Sequence, residues 1–545
     1  MFIQNGPEQN DNLFKQDAFL LGMTKRYLTD DAYFLMLPKL LNLGEEVLER
    51  VRAWGELAEK NPPVLENYDA YGRRIDRLHL SHGWLRLKKF SALNRFVAMG
   101  YDKKLKKMGR TAQAAAQILF SAYSSTYSCP LAMTDGAIKL LSEHAPKSIK
   151  EQIVHALLGR EDGKYATCGQ WMTERVGGSD LRNIETLATL ARKEDDRELY
   201  RLFGLKWFAS AVDSQYALVL AQVKEFGPTL FLLHVWQEGV LAEGVRIERL
   251  KQKLGTKGLA TAEVRLEGAV ATLIGQKGKG IATSASLLNI TRFYNALAST
   301  SIMNRAFFSV QNYAKKREAF QKPLSQHLLY KKVLADLDAK RCGSIALCFE
   351  MARMLGEVED GAKEKHEISR LRALIPIAKL TLGKWAVLFA SDAMEAMGGV
   401  GYLEDTEFPQ LLRDAQVLPI WEGTSNMMVL DILRAQNKDG ALLVLLKGLC
   451  ERANTLMIDE ADALRILKSR LQQISERIVS YMHKGEQNGS LYLEPVARKY
   501  AFLISTCTMA VLLAEAKPFI IETDPFAPTR FTTFVENNLC GNFSL

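Results

Sequence analysis

One carboxylate stands out because its neighbours carry no charge. Glu422 lies in LPIWEGTSNMM, residues 418–428, between Trp421 and Gly423. A carboxylate among apolar groups is poorly solvated, so burial raises its pKa and makes it a stronger general base. A helix N-terminus that follows at once acts in the opposite direction, but more weakly. We therefore expect desolvation to dominate at Glu422, and the stretch predicts a general base; a plain corner between two helices is the alternative.

Two further stretches could contact a ligand. In QWMTERVGGSD, residues 170–180, paired glycines followed by Ser-Asp favour a turn with exposed N–H groups. In LKWFAS, residues 205–210, Trp207 and Phe208 would point to opposite faces of a strand, so that one ring can face a planar ligand. A plain strand-end turn and ordinary core packing are the alternatives. The first stretch lacks G-x-G-x-x-G and a βαβ context, which argues against a Rossmann site.

Glycines and a proline turn mark two more segments. Gly398, Gly399 and Gly401 interrupt a helical pattern in MEAMGGVGYLEDTEF, after which a helix is predicted over about 407–417. Thr424 or Ser425 can cap the helix that follows Glu422. The segment KKREAFQKPLSQHLL, residues 315–329, has a proline turn and also fits an exposed corner.

The elements that must position these residues follow a helix–sheet–helix order. Residues 1–30 are interpreted as a loose arm, and the periodicity over 31–164 is helical. Short alternating stretches over 165–280 predict an antiparallel sheet or barrel, without the long helices of a doubly wound sheet. Helical periodicity returns over 281–440 and persists in an extension over 441–545, whose tail from 517 is expected to be irregular.

Composition limits the class of protein. The chain has 545 residues, 48% of them hydrophobic, which predicts two to four domains. Its seven scattered cysteines include no C-x-x-C, which favours a reduced, cytoplasmic protein. Neither a secretory signal nor a membrane span is expected, and we expect no metal site.

The formal charge of +9 is unevenly distributed. Residues 83–110 carry nine basic side chains and one acidic side chain, whereas 441–545 carry eleven of each. A solvated face, or a surface for nucleic acid, an acidic partner or a nucleotide phosphate, would account for the basic segment.

Taken together, the four motif segments resemble the acyl-CoA dehydrogenase flavoprotein family. MTERVGGSD, KWFAS, GGVGYL and RDAQVLPIWEGTSN are similar to that family's motifs and occur in the same order. NPPVLENYDAYGRRID (61–76), SCPLAMT (128–134) and ERLKQKLGTKGLATAEV (248–264) are similar to its AidB-like branch, as is the extra C-terminal region. The resemblance implies a mainly α fold with a central antiparallel β domain and an additional C-terminal helical region.

The resemblance also implies FAD as cofactor and an acyl-CoA substrate. Glu422 would remove the α-proton while the β-hydrogen leaves as hydride to the flavin, and Arg292 matches an arginine beside the active site of the AidB-like branch. The residues that would contact FAD are Met172, Thr173, Gly178, Ser179, Trp207, Phe208, Ser210, Gly399, Gly401, Thr424 and Asn426.

Assembly is a further implication of the resemblance. Arg317 and Phe320 belong to a segment that completes the FAD site of a neighbouring subunit, which implies a homotetramer. Two departures weaken this point: Gln321 replaces the family's glycine, and Leu328 replaces its glutamine, although Gln326 or His327 could substitute.

Three functions stay open at this point. The first is an FAD-dependent acyl-CoA dehydrogenase with an electron-transferring flavoprotein as acceptor. The second is a DNA-associated, protective flavoprotein with weak dehydrogenase activity, as linked to the AidB-like branch; the neutral extension argues against it. The third is a fatty-acyl binder with vestigial catalysis. Because Glu422 is present, we prefer the enzyme to this third function.

Overall fold

The structure, a computed structural model, describes residues 11–159, 165–361, 364–488, 493–520 and 524–540. Spatial contacts divide the chain into two compact units. The first comprises residues up to 49, 99–122 and 295 onward, and the second comprises 50–98 and 123–294. The five segments predicted above were defined by periodicity and composition along the sequence and not by spatial contacts. Their boundaries stay predictions.

Helices make up most of the described chain. In chain order they are α1 (Leu13–Gln16), α2 (Ala18–Tyr27), α3 (Asp30–Glu46), α4 (Arg52–Lys60), α5 (His82–Leu93), α6 (Gly109–Phe120), α7 (Ser128–His144), α8 (Lys147–Ile149), α9 (His155–Leu157), α10 (Gly280–Thr283), α11 (Ala285–Lys316), α12 (Leu328–Glu359), α13 (Lys365–Ala396), α14 (Glu407–Ala415), α15 (Ser425–Asp439), α16 (Ala441–Thr455), α17 (Ala461–Asn488), α18 (Glu494–Ala516) and α19 (Arg530–Leu539).

The strands belong mainly to the second unit. They are β1 (Val64–Tyr68), β2 (Arg74–His79), β3 (Cys168–Trp171), β4 (Leu187–Glu194), β5 (Arg197–Ser210), β6 (Tyr216–Val223), β7 (Gly227–His234), β8 (Trp236–Gln237), β9 (Val240–Leu241), β10 (Val245–Leu250), β11 (Thr261–Ile274), β12 (Glu318–Ala319) and β13 (Lys322–Pro323).

A seven-stranded sheet forms the centre of the second unit. Its pairing order is β10-β11-β5-β4-β6-β3, and β7 pairs with both β11 and β6, so β11, β5, β4, β6 and β7 form a closed circuit. The pairings are antiparallel except β3 with β6 and β4 with β6. Alternate residues of these strands face a shared core that includes Leu202, Val219 and Phe231. The predicted central, mainly antiparallel β domain is thereby confirmed.

The first unit is a helical bundle with a buried ion-pair network at its centre. Arg341 of α12 donates to Asp17 and to Asp338, each at 2.8 Å. Arg530 of α19 donates to the other oxygen of Asp338 at 2.7 Å and to Asp524 at 2.6 Å. Each charge has an opposite partner, which offsets the desolvation that burial costs. The network ties residues from both ends of the sequence into one core.

Three predicted features differ in the structure. Residues 13–27, interpreted as part of a loose arm, form α1 and α2, because Phe14 and Phe19 are buried and Asn12 and Asp17 cap the helices. A β1–β2 hairpin interrupts the region predicted to be helical. The tail expected to be irregular contains α19, which buries Phe534.

Two described helices, α13 and α18, the latter with the following turn to Phe519, are long and apolar enough to cross a membrane. In each, 78% of the most apolar window is buried inside the protein. Burial of this extent is what a core helix of a helical bundle shows, so length and hydropathy are weak evidence for a span here. The seven cysteines are all free thiols.

Candidate active site

The predicted site residues fall in both units, and each group is described within its own unit. In the first unit, Glu422 lies between α14 and α15 and has a φ of +57°; Gly423 follows with a φ of +101°. A side chain in the left-handed region is uncommon and often marks a functional site. The predicted helix over 407–417 is found as α14, which ends at Ala415.

Three contacts hold the chain around Glu422. Lys379, buried in α13, donates to the carbonyl oxygen of Gly423 at 2.5 Å. Asn295 of α11 donates to the carbonyl oxygen of Leu418 at 3.1 Å. A Cβ at Gly383 would lie 3.2 Å from the backbone of Leu418, so glycine allows α13 to approach the loop closely. The loop is therefore fixed by the two helices behind it.

Glu422 is half-buried, as are Trp421 and Gly423, whereas Ile420 is 60% exposed. The apolar neighbours in sequence therefore do not all fold over the carboxylate, and the expected dominance of desolvation at Glu422 stays a prediction. The indole Nε1 of Trp421 is buried and has no acceptor among the described residues. A half-buried carboxylate keeps access to a substrate while losing part of its hydration.

Helix α15 begins directly after this loop. Thr424 is its N-cap residue, as predicted, but its side chain makes no capping hydrogen bond. Thr424 and Asn426 are both exposed. Without a side-chain cap, the first N–H groups of α15 stay available to the oxygens of a ligand.

The glycines predicted to contact the cofactor lie in a 3-10 helix, Gly398–Tyr402. Gly399 has open space where a Cβ would lie. A Cβ on Gly401 would come within 2.4 Å of the carbonyl oxygen of Met394, so packing against the end of α13 already requires glycine there. Their cofactor contacts stay predictions.

In the second unit, the two predicted cofactor stretches are adjacent. The backbone N–H of Trp207 donates to the carbonyl of Thr173 at 3.0 Å, which joins β5 to the loop after β3. Met172 is buried, whereas Gly178 and Ser179 are exposed in that loop. At the end of β5, the hydroxyl of Ser210 is 3.1 Å from that of Thr261. The structure thus brings Met172, Thr173, Gly178, Ser179, Trp207, Phe208 and Ser210 into one region.

A buried ion pair supports this region. Lys206, beside Trp207, donates to Glu174 at 2.6 Å, and both side chains are almost completely buried. The Glu174 carboxylate also accepts hydrogen bonds from the backbone N–H of Glu185 and from the hydroxyl of Thr186. Burial alone would raise the pKa of Glu174, but Lys206 and these hydrogen bonds lower it. The ionised pair fixes the loop to β5.

Three cations surround the ring of Trp207, and none of them was identified from the sequence. Lys251 Nζ is 3.3 Å from the ring centroid, and the guanidinium carbons of Arg175 and Arg249 are 5.5 and 5.9 Å from it. Glu263 accepts from Lys251 and Arg249, each at 2.6 Å. Arg175 lies in the loop after β3, whereas Arg249 and Lys251 lie at the end of β10, so the three cations come together only in the folded protein. The only sequence signal is the alternation of basic residues in RLKQK.

These groups fit the chemistry of FAD. Phe208 is 52% exposed beside the half-buried Trp207, which gives an aromatic surface for a planar ring. The cations suit an anionic diphosphate. Trp207, Phe208, Lys251 and the loop of Ser179 would hold the cofactor in this unit.

The segment predicted to contact a neighbouring subunit is a hairpin in the first unit. Strands β12 and β13 are joined by Phe320 and Gln321, whose φ angles are +49° and +66°. Phe320 is 92% exposed, and Arg317 and Gln326 are exposed as well. His327, considered as a substitute for the family's glutamine, lies 2.9 Å from the carbonyl oxygen of Ala319 and so braces the hairpin.

Arg292 lies in the second unit, on the first part of α11, and is half-buried. Its neighbours Thr291 and Phe293 are buried. Its predicted active-site role stays a prediction.

The basic segment 83–110 is not a continuous positive face. Lys88 of α5 is directed inward and donates to Gln215. Arg110 is fully buried and pairs with Glu359 at 2.6 Å. Residues 103–107 form turns and the start of a 3-10 helix, and Lys106 has a φ of +49°, so these lysines do not lie on an α-helix.

Family models match three stretches of the chain. The AidB N-terminal domain ("Adaptive response protein AidB N-terminal domain") matches residues 4–162, the acyl-CoA dehydrogenase middle domain matches 169–269, and the acyl-CoA dehydrogenase C-terminal domain matches 278–436. The middle-domain match covers the region of Trp207, and the C-terminal match covers Glu422.

Known proteins resemble the chain over most of its length. "Acyl-CoA dehydrogenase family member 11" of Caenorhabditis elegans is 38% identical over 532 residues, which cover 94% of this chain and 85% of that protein. "Putative acyl-CoA dehydrogenase AidB" of Escherichia coli K12 is 34% identical and covers 82% of each. The crystal structure of Caenorhabditis elegans ACDH-11 in complex with C11-CoA has a TM-score of 0.93 at 35% identity, covering 99% of this chain and 93% of that one.

These similarities confirm the predicted fold class and the predicted class of enzyme, an oxidoreductase of the acyl-CoA dehydrogenase type. They also agree with the AidB-like features read from the first 264 residues. The chain belongs to the acyl-CoA dehydrogenase family, in the branch that carries the AidB N-terminal domain.

Proposed function

We propose that this protein removes two hydrogens from adjacent carbons of an acyl-CoA, with Glu422 as the base that takes the α-proton. The observation that carries the proposal is the conformation of the loop: Glu422 has a φ of +57°, and Lys379 holds the next carbonyl. A strained backbone persists only where surrounding contacts impose it. Here it presents a half-buried carboxylate ahead of the uncapped start of α15.

The α-hydrogen of a thioester is weakly acidic, so its removal needs a carboxylate that is near and rigidly placed. The braced loop limits the movement of Glu422. Trp207, Phe208 and the cations beside them would orient the cofactor. FAD, when bound, supplies the acceptor for the β-hydrogen.

An anaerobic titration tests this proposal. The purified yellow protein is mixed with a panel of saturated acyl-CoA thioesters, and flavin absorbance is followed. The panel includes C11-CoA, which the Caenorhabditis elegans structure contains, and free CoA is the control. We expect bleaching with at least one thioester and none with CoA. A flavin that stays oxidised with every thioester contradicts the proposal.

The remaining partners are part of the same proposal. We infer a homotetramer, supported by the exposed hairpin around Phe320. We also propose an electron-transferring flavoprotein as acceptor and a cytoplasmic location. Sedimentation gives the subunit number, and reoxidation of the bleached flavin by an added electron-transferring flavoprotein tests the acceptor. Fractionation of the source cells tests the location.

Nucleic acid stays the alternative partner and is not favoured. The formally neutral extension and the inward positions of Lys88 and Arg110 reduce the positive surface that DNA needs. Retention on duplex DNA with a steep fall against salt concentration would support the alternative; no retention would remove it.

A further inference from the structure

The first unit contains a cavity that is separate from the segment of Glu422. Its volume is ≈ 500 Å³, within the range of small-molecule sites. We name it the arginine cavity after Arg26 of α2, Arg353 of α12, Arg370 of α13 and Arg452 of α16, which line it. Nothing in the proposed dehydrogenation uses these residues.

Its position separates it from the proposed base. Arg370 lines the cavity, whereas Lys379, which contacts Gly423, lies nine residues further along α13. At 1.5 Å per residue, the two side chains leave the helix about 13 Å apart along its axis. No residue of 394–428 lines the cavity. One wall comes from α16, which lies beyond the matched C-terminal domain ending at 436.

The lining is positively charged overall. Arg26, Arg353, Arg370, Arg452 and Lys107 line it together with three glutamates, Glu350, Glu357 and Glu367. The lining therefore carries five positive and three negative charges, a net charge of +2. Glu515 pairs with Arg26 and Arg452, and if it is counted as well the net charge is +1. Lys107 is exposed and has no ion-pair partner among the described residues. The cavity therefore favours an anion.

Two guanidinium groups also carry unused donors. Arg26 donates Nη2 to Glu515, but its Nη1 is buried without an acceptor among the described residues. Arg370 donates Nη1 to Glu367, and its Nε is likewise buried without an acceptor. Buried N–H groups are ordinarily paired. These two guanidinium groups are therefore only partly neutralised by hydrogen bonds to the described protein groups.

A glycine positions one of these arginines. A Cβ on Gly448 of α16 would come within 2.6–2.8 Å of three guanidinium atoms of Arg370. The guanidinium therefore lies directly against the backbone of α16, which only glycine permits. Leu28, Met354, Leu374, Leu445 and Leu449 supply an apolar lining beside these charges.

We propose that the arginine cavity binds a small amphiphilic anion, a carboxylate or phosphate monoester attached to an apolar chain. The guanidinium groups and Lys107 would hold the head group, and the leucines and Met354 would cover the chain. This binding is independent of dehydrogenation at Glu422.

Calorimetric titration of the full-length, flavin-loaded protein tests the proposal. Octanoate and octyl phosphate are the probes, and octanol is the neutral control with the same chain length. We expect saturable one-site binding of at least one anion and much weaker binding of octanol. If both anions bind, the tighter one identifies the preferred head group.

Two variants locate the site. Gly448→Ala should weaken anion binding about tenfold, about 1.4 kcal/mol, because the new methyl group displaces Arg370. Lys107→Gln should weaken it about threefold, as expected for one exposed charge. Lys104→Gln, an exposed lysine outside the lining, is the matched control. Melting temperature and flavin absorbance show whether each variant is folded. Alanine has a higher helix propensity than glycine, so Gly448→Ala should not weaken α16 itself.

Three outcomes would overturn the proposal. One is the absence of saturable binding for both anions. Another is binding of octanol as tight as that of the anions. The third is unchanged affinity in both Lys107→Gln and Gly448→Ala, which would place the probes elsewhere in the protein.

Discussion

Lys379 is fully buried in α13 and donates to the carbonyl oxygen of Gly423, the residue that follows Glu422. This contact fixes the peptide beside a carboxylate whose own backbone is left-handed. A buried ammonium group is costly unless it is hydrogen-bonded. Its placement here links the interior of the bundle to the position of the proposed base.

We expect Lys379→Met to keep FAD but to slow flavin reduction by acyl-CoA, by up to about a hundredfold, because small displacements of a reacting group are costly. The measurement is anaerobic stopped-flow absorbance. Lys384→Met, on the same helix, is the matched control. Equal reduction rates in the two variants would show that Lys379 does not position the loop.

Glu422→Gln should bind FAD normally and lose flavin bleaching by acyl-CoA, because an amide cannot accept the α-proton at neutral pH. Glu422→Asp should retain part of the rate, since its carboxylate is one methylene shorter. Glu404→Gln, at an exposed glutamate of the same unit, serves as control. Reduction of Glu422→Gln at the wild-type rate would falsify the assignment of the base.

Lys251→Met should weaken FAD binding about fivefold, the effect expected from one partly screened charge beside an anionic ligand. Lys251 also contacts the ring of Trp207. Affinity is measured by fluorescence of FAD released on dilution. Lys257→Met, in the same connection between β10 and β11, is the control. If the two variants have the same affinity for FAD, Lys251 does not contribute specifically to FAD binding.

The pH dependence of stability should include a contribution from Glu350. Burial acts to raise the pKa of Glu350, but Arg452 and Arg353 outweigh it and lower the pKa from 4.5 to about 2. The ionised form is therefore stabilised in the folded state. Its contribution is complete above about pH 4.5 and is lost as the pH falls towards 2. At 1.36 kcal/mol per pKa unit, it amounts to about 3 kcal/mol at neutral pH.

The measurement is the free energy of unfolding in urea between pH 6 and pH 3. Glu350→Gln should lose this part of the acid dependence, whereas the exposed Glu451→Gln should keep it. The variant is expected to be less stable at every pH, because Arg353 and Arg452 each lose one of their two carboxylate partners. Parallel pH profiles for Glu350→Gln and wild type would contradict the assignment.

Phe320→Ala should reduce the subunit number, because a 92% exposed phenylalanine at the tip of a hairpin is well placed to pack against another subunit. Sedimentation velocity gives the mass of the assembly. Phe226→Ala, at another exposed phenylalanine, is the comparison. An unchanged mass for Phe320→Ala would exclude this hairpin from the interface.

Local patterns were enough to predict much of the fold. Alternating stretches predicted the sheet around β5 and β11, and helical periodicity predicted α14 within two residues of its observed end. Glycine and cap signals also located the loop of Glu422. These features depend on residues that are close in the chain, where periodicity and turn chemistry act directly.

Features that depend on distant residues were missed. Asp17 is paired by Arg341, 324 residues away, and this pairing stabilises a region that had been interpreted as a loose arm. The cations around Trp207 come from two separate parts of the second unit, Arg175 from one and Arg249 with Lys251 from the other. The left-handed conformation of Glu422 had no signal either, since the residue is not a glycine or an asparagine.

The buried network of Asp17, Arg341, Asp338, Arg530 and Asp524 has a consequence for biosynthesis. A translating ribosome adds roughly 5–20 residues per second, so Asp17 emerges about half a minute or more before Arg530 is made. Until then, the first helices have only part of their charge partners. The nascent chain must keep this early segment from aggregating, and the bundle can close only when translation is almost finished.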